Sequence, residues 1–161
     1  MILIITVLFS GLIAGLLFCY SCSVNLGLHN LTDVEYVKAM LSINKEIQNF
    51  YFLSIFIGLL FLFPLATWTS CTANNKVIFY LLLCSTIIYF VGVFGVTIFG
   101  NLPLNNKLAE INLSNTSQEM LSMLRNQFET NWAKFHLIRT SASIISFLLT
   151  IIATQNPCQR L

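Results

Sequence analysis

Four apolar runs of about twenty residues constrain this chain more than anything else in it. They cover residues 1–24, 50–70, 77–99 and 135–153. Crossing the hydrocarbon core of a bilayer takes about 20 apolar residues in a helix, and backbone in lipid must satisfy its own hydrogen bonds. The reading that follows is all-α, a four-transmembrane-helix bundle forming a single membrane domain over residues 1–161. Composition agrees: 57% of the 161 residues are hydrophobic and 9% charged, against about 25% charged in an average soluble domain. The first run has no basic segment ahead of it and exceeds the 7–15 apolar residues usual in a signal peptide. It is therefore expected to stay as a span, and Phe18 is too large for a lipoprotein cleavage junction before Cys19.

The connections alternate long, short, long. Each long one carries a helix start: Thr32-Asp-Val-Glu35 and Thr116-Ser-Gln-Glu119 have the Thr-to-Glu spacing of a capping box. Tyr36, Met40, Ile43 and Ile47 then recur at helical spacing, as do Leu121, Leu124, Phe128 and Trp132. Two amphipathic extramembrane helices are thus expected, extending the second and fourth spans. Asn25-Leu-Gly-Leu28 after the first span is echoed by Asn101-Leu-Pro-Leu104 after the third. The echo points to two similar hairpins about an axis along the membrane normal. Orientation stays open. Lys38, Lys45, Lys107, Arg125 and Lys134 outnumber Lys76 and Arg160 across the membrane, favouring cytoplasmic long loops. Sequons at Asn30, Asn112 and Asn115 would favour a lumenal side in a eukaryote.

Charge within the spans is nearly absent, which singles out Arg139. A charged side chain at membrane depth is costly and faces a bundle interior or a cavity, with a partner. Helical steps of four and three residues bring Trp132, His136 and Arg139 within roughly 60° of one another. No Asp or Glu lies in any of the four runs. Partners for Arg139 are therefore sought among asparagine amides, carbonyls freed near Asn101–Pro103, Glu110 or Glu129 at the mouth, or an anionic substrate. A cation among neutral acceptors suits an oxyanion such as a phenolate or enolate. His136, one turn away, is placed to take the proton that creates it. Pro103 should interrupt the third helix near Phe99, with Asn101 capping the new start. Asn105 would then have its amide free for another helix or a ligand.

Other chemistries find less support. With two histidines and no cluster of His, Cys or carboxylates at ligand spacing, no metal or haem site is expected. The net charge of +2 comes from scattered residues, so nucleic acid is not an expected partner. Cys19-Tyr-Ser-Cys22 has the C-x-x-C spacing of a thiol pair. Regular helix geometry does not readily close such a disulfide, and neither long loop holds a cysteine to relay electrons.

Asn101-x-Pro-Leu-Asn105 after the third span, then Trp132, His136 and Arg139 opening the fourth, resembles the anthrone oxygenase family of small membrane proteins. Residues 14–28 resemble its first span and exit, and Val37–Asn44 the stretch before its second span. The resemblance implies a four-helix membrane bundle. Some fungal and bacterial members oxidise anthrones to anthraquinones with molecular oxygen and no metal or flavin. By the resemblance, His136 and Arg139 are the catalytic residues, and Asn101, Asn105 and Trp132 bind substrate. No cofactor is implied. The partners are membrane lipid, a small lipophilic aromatic and molecular oxygen; no oligomeric state is specified. Two other readings stand beside this one. The first is a non-enzymatic four-span assembly or lipid-organising protein in which Arg139 bridges helices. The second is a quinone-coupled thiol oxidoreductase using Cys19 and Cys22.

Overall fold

A computed structural model describes residues 1–71 and 76–155, excepting the side chain of Cys71. Arg160, counted above toward orientation, lies outside the described residues. Five helices account for almost all of the described chain: α1 (Ile2–His29), α2 (Asp33–Glu46), α3 (Phe50–Cys71), α4 (Lys76–Ala109) and α5 (Gln118–Gln155). No strand occurs among the described residues. Helices α1, α3, α4 and α5 are each long and apolar enough to cross a membrane.

These four form a ring in which α1 touches α3 and α5, and α4 touches the same two. Phe63, Leu59, Tyr89 and Val93 fill its centre. Outward the bundle presents Ile4, Phe61, Trp68, Val91 and Phe99, each about two-thirds exposed or more. Large apolar side chains over so much of the surface fit lipid and not water. Between the helices, polar contact comes from small hydroxyls: Ser85 Oγ lies 2.9 Å from Ser146 Oγ and 2.8 Å from Thr150 Oγ1. Close approach of α4 to α5 depends on glycine. A Cβ on Gly92 would sit 2.6 Å from that of Ala142, and one on Gly100 2.7 Å from the Phe135 ring.

The two amphipathic segments differ. Helix α5 runs unbroken through 38 residues, so its amphipathic half and its span are one rod. Helix α2 is instead set off from α3 by a turn at residues 47–49. There Asn49 donates to Glu46 O and accepts from Phe52 N–H, ending one helix and capping the next. The turn lets α2 fold over the ends of α4 and α5, burying Tyr36, Val37 and Met40 against Leu108, Leu121 and Phe128. The helix starts also differ. Thr32 forms the expected box, with both its N–H and its hydroxyl donating to Glu35. At α5 the cap is Ser117, whose hydroxyl accepts from Met120 N–H; Thr116 turns back to Asn112 O. A hydroxyl one residue closer to the first turn displaced the box expected at Thr116.

Arg125 ties these parts together. Its guanidinium donates to Leu31 O (2.7 Å), His29 O (2.8 Å), Asp33 Oδ1 (3.0 Å) and Glu129 Oε2 (3.4 Å), and it covers the Tyr36 ring at 4.6 Å. One carbonyl is the last of α1 and the other lies in the link to α2, so one cation closes that helix terminus and joins it to α2 and α5.

Arg125→Ala should cost about 2–3 kcal/mol, short of the range for a sealed ion pair because Asp33 and Glu129 keep some water. Thermal unfolding in detergent checks this, and Arg125→Lys should recover only part. At Glu35, the Thr32 hydroxyl and then the Thr32 backbone N–H hold the carboxyl below its ordinary 4.5. That contribution is present above pH 4.5 and lost as pH falls through the lower folded value. Protection factors at residues 34–36, which correct for the slower intrinsic exchange in acid, should fall over that acidic interval and not above it.

Candidate functional site

Three turns in α1 and α4 are opened to i→i+5 hydrogen bonding, and the first and last of them aim polar residues of the site. They lie at Tyr20–Val24, Tyr89–Gly95 and Thr97–Asn101. Such wide turns are rare and concentrate where a helix has something to position. The last resolves the proline problem. Pro103 offers no N–H, and its ring crowds the carbonyl four residues back. With the preceding turn widened, so that Leu102 N–H reaches Thr97 O, α4 passes through without a break. The expected interruption near Phe99 is therefore absent. Asn101 sits within the helix at φ −74°, ψ −41° and makes no cap bond.

Released from capping, Asn101 crosses to α5, where its Nδ2 donates to Trp132 O at 3.2 Å. One turn on, Asn105 Oδ1 accepts from Trp132 Nε1 at 2.9 Å. The two asparagines thus grip one tryptophan by its backbone and by its indole. Trp132 stacks on His136, with centroids 4.8 Å apart and planes 11° from parallel. Arg139 completes the column. Its guanidinium lies 5.2 Å over the Trp132 ring, with Nε and a terminal nitrogen 3.2 and 3.0 Å from His136 Nδ1.

This geometry fixes the imidazole. Guanidinium only donates, so His136 Nδ1 is an acceptor and the ring proton sits on Nε2. Nε2 faces Ser21 Oγ at 2.9 Å, and Ser21 donates onward to Leu17 O. His136 is 1% exposed, a neutral ring with both nitrogens engaged. Glu129, considered as a partner for Arg139, is taken by Arg125 and His29. Among the described residues no carboxylate reaches Arg139.

Beside the column lies a cleft of about 230 Å³. Arg139, Trp132, Asn101 and Asn105 line it from α5 and α4, and Tyr20 with Leu17 from α1. Phe52 and Phe56 of α3 supply apolar wall, and Asn44, Ile47 and Gln48 form the side toward α2. Of the five residues singled out from sequence, four line the cleft and His136 stands behind Arg139.

Sequence reading missed Tyr20, Ser21 and Asn44. Tyr20 packs on both Trp132 and His136, with centroids 5.4 and 5.2 Å away, and its hydroxyl donates to Met40 Sδ. Tyr20 and Ser21 fall between the two cysteines, so the C-x-x-C spacing masked them. The wide turn that aims them from α1 has no signature in the local sequence. The cysteines themselves are free and exposed, and Cys22 Sγ donates to Cys19 O within the helix. No disulfide joins them, and no metal-ligand cluster occurs among the described residues.

Fold and site together define a small α-helical bundle, its four longest helices of membrane-spanning length and apolarity, with one arginine-bearing aromatic cleft near the end covered by α2. The sequence model of one family, described as anthrone oxygenase, matches residues 38–149, and the chain belongs to that family. The match takes in Asn44, Asn101, Asn105, Trp132, His136 and Arg139. No curated protein and no solved structure matches the chain.

Because a Cβ on Gly100 would meet Phe135, Gly100→Ala should push α4 off α5 beside Asn101. Weakened Asn101–Trp132 contact would lower the thermal midpoint and shift Trp132 emission to the red. Both are readable in a Trp68→Phe background.

Proposed function

We propose that this chain is a multi-pass membrane oxygenase that oxidises a lipophilic, anthrone-like phenolic compound in the cleft, with Arg139 stabilising the substrate oxyanion. One observation carries the reading. Arg125 and Arg139 lie on the same helix, yet Arg125 is surrounded by carbonyls and carboxylates, whereas Arg139 meets an imidazole nitrogen and an indole face. Donors in excess of acceptors, at the wall of an aromatic cleft, suit a ligand that brings a negative oxygen. Family membership supports the same substrate class.

In the proposed reaction, loss of a proton from the CH₂ opposite the ketone gives an enolate whose charge rests on the ketone oxygen. Arg139 swings from His136 Nδ1 to that oxygen, and the vacated nitrogen accepts the proton. The electron-rich carbon then combines with O₂, His136 returns the proton to the peroxide, and water is lost as the second carbonyl forms. CH₂ and O₂ thus become C=O and H₂O, with dioxygen as the oxidant. Trp132, Asn101 and Asn105 hold the aromatic plane against Arg139, and a lipophilic substrate enters from the surrounding membrane.

Oxygen uptake by purified protein given 1,8-dihydroxyanthrone tests this. One O₂ per anthrone is expected, with quinone appearing in step. Arg139→Gln should lower the enzyme-dependent rate by roughly a hundredfold or more, the usual scale for one oxyanion donor. His136→Gln keeps a hydrogen-bonding side chain but no base and should fall comparably. Rates equal to the protein-free background, or unchanged in both variants, would exclude the reading for this substrate.

A further inference from the structure

Helix α2 carries a polar residue where its packing calls for an apolar one. Val37 and Met40 are buried on its inward stripe, and Asn44 follows at helical spacing on the same face. An amide is costly there unless it is hydrogen-bonded. Asn44 Nδ2 is nevertheless sealed from water without a partner. Across the same cleft, Asn101 is 1% exposed and its Oδ1 is equally buried and unpartnered. Its orientation is fixed, since Nδ2 must face the Trp132 carbonyl to donate. Asn44 and Asn101 thus line one cleft from different helices, and each holds an unmet polar atom within its wall.

Resting on the proposed oxygenase reading, we propose that Asn44 and Asn101 set the specificity of the cleft as a complementary pair. Asn44 Nδ2 donates to an acceptor oxygen of the bound molecule, and Asn101 Oδ1 accepts from one of its hydroxyls. The ligand is thereby an aromatic with a carbonyl and a separate, free hydroxyl, not a plain hydrocarbon or a quinone lacking hydroxyls. Arg139 handles developing charge, while the asparagines choose which molecule stays. Buried polar groups discriminate strongly because an analogue lacking the matching group leaves them unpaired. This makes α2, which lies outside the four spans, a part of the site.

Binding separates this from the oxygenase reading. The probes are 2,6-dihydroxyanthraquinone, which has both oxygen types, and anthracene, which has neither. Quenching of Trp132 in Trp68→Phe protein reports occupancy in phosphatidylcholine vesicles, after correction for partitioning. The parent should prefer the dihydroxyquinone, and Asn44→Leu should shrink that preference by roughly tenfold with anthracene affinity held. Asn44→Ala should do the same, which covers the event that leucine disturbs the α2 packing. An unchanged preference in a folded Asn44 variant overturns the assignment, even with oxygen uptake intact. Failure of the oxygenase reading looks different: no uptake with anthrone, but a preference that still depends on Asn44.

Discussion

A guanidinium has five N–H donors and no acceptor, and Arg139 answers two of its nitrogens with one imidazole lone pair. Everything distinctive about the site is arranged around that deficit. His136 must be neutral with its proton on Nε2 to accept at Nδ1, so Ser21 must stand at Nε2. The imidazole must be stacked to hold its plane, which Trp132 does at 4.8 Å. Trp132 in turn is gripped at its carbonyl by Asn101 and at its indole by Asn105. Each contact fixes the next, from the wide turn in α4 to the cation at the cleft wall.

Helix irregularity makes this chain of contacts possible. A regular α4 would break at Pro103 and use Asn101 as a cap, leaving no amide for α5. Widening the turn keeps the helix whole and turns Asn101 across the interface. A second wide turn, at Tyr20–Val24, brings Tyr20 and Ser21 to the same column from α1. When Asn25 is laid on Asn101, the two wide turns coincide within one residue, so the echo between the hairpins is structural as well as sequential. The hairpins part company afterward: α5 stays one rod, while α2 bends over the cleft. That difference leaves the half with the arginine column to be covered by the half without it.

Much of the fold was legible because it follows from hydrophobicity and length. Four apolar runs became four long helices, and both amphipathic segments were recognised from the spacing of their apolar residues. The break at residues 47–49 was hidden, because Asn49 is the only strong signal there and no proline or glycine accompanies it. The column of Trp132, His136 and Arg139 could be read from helical periodicity within one element. Its partners on other helices could not. Tyr20 and Asn44 reach the site through a wide turn and a folded-back helix, neither of which leaves a mark in local composition. Arg125 was equally hidden: its role as the tie between α1, α2 and α5 depends on two backbone carbonyls that only folding brings near.

The proposed role of Arg139 is to bind an oxyanion in the cleft. Its most direct test is the absorption spectrum of 2-hydroxyanthraquinone bound to the purified protein, at a pH where the free phenol is neutral. Stabilisation by Arg139 predicts that binding converts the probe to its red-shifted phenolate form, and that Arg139→Gln binds it without the shift. A bound probe that keeps its neutral spectrum in the parent protein, or the same phenolate band in both proteins, would rule out that role for Arg139.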